Sequence, residues 1–201
     1  MTHFDDAIAK IDAANADDPN RVLVDGTERP AEVVYGERMS AALARLDPEA
    51  SEALKLAVRA QHIRRWTVPR ASYPMDRPGY LRWRKDLQRK HAEWTGAILA
   101  ECGYSEDEIK RVASLIRKEN LKYNAEAQAL EDVASIVFLE HYALDFATKH
   151  EPEKVVSILA KTFNKMSEHG REAALKLDLP TALANLVREV LAARAASEPA
   201  P

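Results

Sequence analysis

The chain has a single cysteine, Cys102, so no internal disulfide can brace it and the fold has to rest on its core. Glycine is almost as scarce, at 6 of 201 residues, and none of the glycine-rich phosphate-loop or nucleophile-elbow patterns occurs. No apolar run approaches the roughly 20 residues that a membrane-spanning helix needs. The N-terminus lacks the basic region and following apolar stretch of exported proteins, so a soluble, cytoplasmic protein without membrane contact is expected. A net charge of −3 is too small for a global field, which argues against an extended nucleic-acid footprint. Any anionic partner is therefore expected to be small. No low-complexity stretch divides the sequence, so one domain is expected over residues 1–196, followed by a flexible tail at 197–201.

Ala, Leu, Glu, Arg and Lys dominate instead, and their composition points to an all-α, helical-bundle fold. Apolar spacing predicts an opening helix from Phe4 to Ala14, closed by Asp17-Asp18-Pro19, then a polar stretch from Asn20 to Arg29. A second helix is predicted from Ala31 to Leu46 behind Pro30, and a third from Asp47-Pro48 with the inward stripe Leu54, Ala57, Val58, Gln61, His62 and Arg65. Beyond a proline-rich loop, a fourth helix places Tyr80, Arg84, Leu87, His91, Trp94 and Ile98 on one face and stops near Gly103. Ser105 and Glu108 form a capping box for a fifth. A long, apolar sixth helix runs from Asn124 to Lys149, a seventh starts at Pro152, and two shorter ones lie near Ala173–Leu177 and Leu183–Leu191.

The richest stretch is Gln61 to Trp94, which holds all three tryptophans and two of the six histidines among several arginines. Rings want burial while charges want water or a partner, so such a mixture points to a concave anion site. Gln61 and His62 replace aliphatic residues at the end of an inward stripe, which is costly without a metal, a ligand or a hydrogen-bond network. Arg65, Arg70 and Arg84, with Lys161 and Lys165, supply positive charge for a phosphate; the alternative is pairing with some of the 32 acidic residues on a solvated face. Trp66 and Trp83 could stack a base or simply pack the core. Cys102 reads as a packed thiol, and Glu140, His141 and Asp145 as a structural polar cluster.

The segment Gln61-His62-Ile63-Arg64-Arg65-Trp66 resembles that of an uncharacterised family, the domain of unknown function numbered 4202. The likeness extends through Asp12 to Asn15, Asp18-Pro19, Tyr35, Arg38-Met39, Gly79-Tyr80, Trp83-Arg84, Glu131-Asp132, Phe138 to Glu140, and Lys161-Thr162 with Lys165-Met166-Ser167. More distantly, the order of helices is similar to that of the HD superfamily of metal-dependent phosphohydrolases. In that comparison Gln61 stands where the superfamily has histidine and His62 where it has aspartate, while Asp132 falls at the place of the final aspartate. The resemblance implies an HD-like helical domain whose metal site has been rebuilt or lost.

The expectation is thus a protein that binds a small anionic or phosphorylated, nucleotide-like ligand, with hydrolysis by a metal-activated water as the further step. His62, His91 and Asp132 are the candidate ligands of a divalent metal ion, and Glu131 the candidate general base. Gln61, Arg65, Arg70, Arg84, Lys161 and Lys165 are the candidate ligand-binding residues. Against the metal stands a simpler role for each histidine, as a core group bonded to a carboxylate or carbonyl. Against catalysis stands a non-catalytic sensing or protein-interaction module built on the same pocket.

Overall fold

The computed structural model describes residues 2–197, and the side chains as far as Ala192; the expected tail beyond Ser197 lies outside the described residues. The chain is predominantly all-α, and it divides into two compact units, one ending at Leu130 and one beginning at Glu131. No helix is long and apolar enough, among the described residues, to cross a membrane.

In the first unit, α1 (His3–Ala16) opens with a capping box: the Thr2 hydroxyl accepts from the Asp5 amide while Asp5 reaches back to the Thr2 backbone. The stretch expected to be merely polar forms an antiparallel hairpin, β1 (Arg21–Val24) and β2 (Thr27–Pro30). Its turn is Asp25-Gly26, with φ of 48° and 78°, the doubly positive geometry that matches the twist of two strands. The hairpin delivers the chain into α2 (Ala31–Leu46), whose limits match those read from the sequence.

Pro30 has no side chain to cap α2, and Asp18 does so from a distance, its Oδ2 accepting from the Glu32 amide at 3.0 Å. The cap of α3 (Glu52–Ala60) is Ser51 and not Asp47, because the chain first makes a turn in which the Ala50 amide donates to the Asp47 carbonyl. Two long helices complete the unit, α4 (Arg77–Glu101) and α5 (Glu106–Ile116), the latter with the expected Ser105–Glu108 box. The sequence puts α3 between α2 and α5, and α4 against α5. Their inner faces bury Ile11, Met39, Leu43, Leu54, Leu56, Leu99, Leu115 and Ile116.

The helix α6 (Ala125–His141) begins in the first unit and continues into the second. The single helix expected from Asn124 to Lys149 is broken at Tyr142, whose φ of −128° leaves the helical range, and α7 (Ala143–Thr148) follows. Hydrogen bonding still runs through the break, from Tyr142 N to Phe138 O and from Phe146 N to Tyr142 O. The remaining helices are α8 (Pro152–Lys165), α9 (Glu168–Leu175) and α10 (Thr181–Ser197), with α7, α8 and α10 packed on one another around Leu159, Phe163, Leu183 and Val187.

Candidate functional site

A tight turn after α3 builds the polar cluster of the first unit. The helix stops at Ala60, the Ile63 amide donates back to the Ala60 carbonyl, and Arg64 takes a left-handed φ of 51°. Asn15, 2% exposed, fixes that turn from α1: its Oδ1 accepts from the Arg64 amide at 2.9 Å. Arg59 ties α3 to α1 as well, through a two-pronged pair with Asp12. The glycine at 36 lets α2 and α3 approach, since a Cβ there would lie 3.0 Å from the Arg59 carbonyl oxygen.

The turn carries His62 and Arg65 off the helical stripe expected for them. The His62 ring lies flat on Tyr35, with centroids 4.0 Å apart and planes 9° apart, and the Tyr35 hydroxyl donates to Gln61 Oε1 at 3.2 Å. Gln61 itself is buried. Arg65 Nη1 lies 3.2 Å from His62 Nε2; guanidinium only donates, so Nε2 accepts and the ring proton sits on Nδ1, 3.4 Å from Glu32 Oε2. Burial holds the His62 pKa well below its usual range, and Arg65, Lys118 and Arg84 push the same way. Burial raises that of Glu32 to about 7 against the attraction of Arg65, with Asp18 adding to the rise.

His91, projecting from α4, is 3% exposed and 6.1 Å from His62 between ring centroids. Its Nδ1–H donates to the Ile63 carbonyl at 2.7 Å, which leaves Nε2 with its lone pair. Burial, assisted by His62, lowers its pKa to about 3. The site therefore contains two neutral imidazoles at neutral pH. Thr95, one turn on, is fully buried and donates to the His91 carbonyl.

The arginines differ in what they are free to do. Arg70 donates to the carbonyls of Tyr73, Pro74 and Asp76, so its guanidinium shapes the proline-rich loop. Arg65 lies over the Trp83 ring at 5.0 Å, and Arg84 near the Tyr80 ring at 5.8 Å. Both are half-buried, and among the described residues neither has a carboxylate within ion-pair distance. Trp83 itself is packed beneath the loop: its Nε1 donates to the Val68 carbonyl at 2.9 Å, and it packs with Val68, Leu87, Tyr73 and Trp94.

The other expected site residues belong to the second unit. Asp132 is 2% exposed and accepts from the Ser167 amide at 2.8 Å and the Ser167 hydroxyl at 2.5 Å. Ser167 Oγ in turn accepts from the Gly170 amide, capping α9. Glu131, also buried, faces Lys165 Nζ at 3.8 Å, and Lys161 is exposed. Of the residues singled out in the sequence, the fold thus gathers Gln61, His62, Arg65, Arg84 and His91 around one turn, while Glu131, Asp132 and Lys165 belong to another set. Among the described residues, no group of three or more His, Cys, Asp or Glu is arranged to hold a metal ion.

Two members of the first cluster carried no signal in the sequence. Glu32 looks like any acidic residue in a first helical turn. Lys118 gains its place from a left-handed φ of 55° in the turn after α5. Tyr35 and Asn15 stood out only as part of the family likeness, and Asp18 there and as part of the stop of the opening helix.

Fold and cluster together define an all-helical protein with a histidine- and arginine-lined polar site. A family model matches residues 5–187, nearly the whole chain, and the protein belongs to that family, described as Domain of unknown function (DUF4202). No curated protein matches it in sequence, and no solved structure matches it in fold.

Proposed function

We propose that this protein binds a small phosphorylated ligand at the His62 cluster, with Arg65 and Arg84 as the phosphate clamp. One observation carries the reading: two half-buried guanidiniums, neither with a carboxylate in ion-pair range among the described residues, act on a half-buried, neutral imidazole, Arg65 by direct contact and Arg84 through its field. Charges taken partly out of water without partners are costly, and an anion offsets that cost. Arginine's planar fork suits phosphate oxygens, and the Gln61 amide and His62 ring add neutral hydrogen-bonding groups beside it. Arg70 supports the site through the loop, and the cytoplasm is the compartment we assign.

Titration of wild-type protein and an Arg65→Ala/Arg84→Ala double variant with pyrophosphate tests this. Affinity should fall at least tenfold in the variant; equal affinity in both would refute the clamp.

A narrower reading, hydrolysis of that ligand in the manner of the HD superfamily, draws on His91. Its Nδ1 is fixed by a backbone carbonyl and its Nε2 lone pair is left over, as in metal-bound imidazoles. A divalent metal there would supply an activated water. His62 as a second ligand would first have to release Arg65 from Nε2, and Asp132 would have to give up Ser167. Glu131, the proposed base, would likewise have to part from Lys165. Metal content of protein purified without chelator, compared with His91→Ala and His62→Ala variants, tests the ligands; unchanged content in both excludes them. Non-catalytic sensing uses the same clamp without those rearrangements.

A further inference from the structure

Tyr80 stands in the first turn of α4, held by Asp76: the Gly79 amide donates to the Asp76 carboxylate at 2.7 Å and the Tyr80 amide to the Asp76 carbonyl at 3.0 Å. As a residue it is 42% exposed, so part of its surface faces solvent. Two guanidiniums accompany it, Arg84 at 5.8 Å and Arg70 at 6.0 Å from the ring centre, the latter immobilised by its three carbonyls.

Other aromatic residues make the contrast. Trp83 is 8% exposed and engaged through Nε1, so it offers no free face for stacking. Tyr123 is 92% exposed, yet no cation or ring lies against it among the described residues. Tyr80 alone among these three combines an open ring with fixed positive charge. Arg84 is the link: it neighbours the Tyr80 ring and acts electrostatically on His62, so a phosphate on Arg84 has an open aromatic surface one side chain away.

We infer that Tyr80 is the stacking platform for an aromatic base, and hence that the phosphorylated ligand of the Arg65–Arg84 clamp is a nucleotide. The inference rests on the phosphate-binding reading above and adds the base to it. Stacking of this kind tolerates any base and contributes through the π face with help from arginine.

ADP and pyrophosphate share their charged end and differ by the nucleoside, so calorimetric titration with both separates the two ideas. Wild-type protein should bind ADP more tightly than pyrophosphate. Tyr80→Leu should weaken ADP by roughly 5- to 100-fold, the usual worth of one stacked base, and leave pyrophosphate unchanged. Tyr80→Trp should keep ADP affinity, and Tyr123→Leu should change neither. If Tyr80→Leu lowers both affinities alike, or spares ADP, Tyr80 is not the platform. Tight pyrophosphate binding with no gain from the nucleoside overturns the nucleotide assignment and leaves the clamp standing. Failure of both probes with wild-type protein refutes the clamp, and the inference falls with it.

Discussion

Glu32 and Asp132 are both acids taken largely out of water, and they are treated in opposite ways. Asp132 accepts from the amide and the hydroxyl of Ser167, and Gly170 packs so close that a Cβ there would fall 2.5 Å from its carboxyl carbon. Among the described residues the Glu32 carboxylate has only the Nδ1 of His62, at 3.4 Å, and its pKa rises to about 7. A satisfied buried carboxylate holds two segments together, whereas Glu32 sits in the field of Arg65 with its burial only partly compensated. The contrast separates architecture from site without reference to any bound molecule.

The largest effect should come from breaking the satisfied acid. Asp132→Ala removes the two bonds from Ser167 and strands the Ser167 amide, at a cost of about 3 kcal/mol. Gly170→Ala should also destabilise, by about 2 kcal/mol, because neither the backbone nor the packed carboxylate can yield freely. Urea denaturation reads both as a lower midpoint; an unchanged midpoint for Asp132→Ala would make that carboxylate dispensable and remove the contrast.

Acid should act mainly on the first cluster. His91 has a folded pKa of about 3 against 6.5 in the unfolded chain, so its neutral form contributes stability that is complete above pH 6.5 and is lost as pH falls toward 3. At pH 4.5 about 2 units of that gap have been crossed, a loss of about 3 kcal/mol. Chelator-treated protein followed by urea melts from pH 7 to pH 4.5 should show this slope, and His91→Asn should flatten it.

Glu32 works in the other direction. Its folded pKa of about 7 exceeds the unfolded 4.5, so the stability of its protonated form is complete below pH 4.5 and is lost as pH rises through 7. Glu32→Gln should therefore stabilise the protein by about 2 kcal/mol at pH 8, have little effect at pH 4.5, and make the acid slope of the remaining histidines steeper. Equal stability of Glu32→Gln and wild type at both pH values would mean that Glu32 is solvated like any surface acid.

How much of this was legible beforehand depends on how locally each feature is specified. The limits of α2, the Ser105–Glu108 box and the start of α8 at Pro152 follow from residues within one turn of the helix end, and the sequence shows them. The hairpin had its Asp25-Gly26 signal, but four-residue strands are too short for alternation to stand out. The end of α3 is another matter. A helical reading carries the inward stripe on to His62 and Arg65, and what stops it is Asn15, 49 positions away, accepting from the Arg64 amide. The buried face of α4 shifts for the same kind of reason: Trp83 and Thr95 are inside and Tyr80 is not, because the Val68 carbonyl and the proline-rich loop engage Trp83. That polar residues of the 61–94 segment come together was therefore readable, while their neighbours Glu32 and Lys118 were not.

The smallest effect should belong to Arg84, one arm of the proposed clamp. Arg84 makes no ion pair and no hydrogen bond among the described residues; its contacts are the Tyr80 ring and its field on His62. Arg84→Ala should change stability by no more than about 0.5 kcal/mol, as surface substitutions away from networks do. Removing a nearby positive charge should also let the His62 pKa rise, since Arg84 is one of the groups that lowers it. Proton NMR of the imidazole resonances across pH 4 to 8 measures that rise, and urea melts measure the stability. A large loss of stability would reassign Arg84 to the architecture and put it beside Asp132. Near-neutral stability with an altered His62 titration would set Arg84 apart from the architecture and leave the proposed clamp as its role.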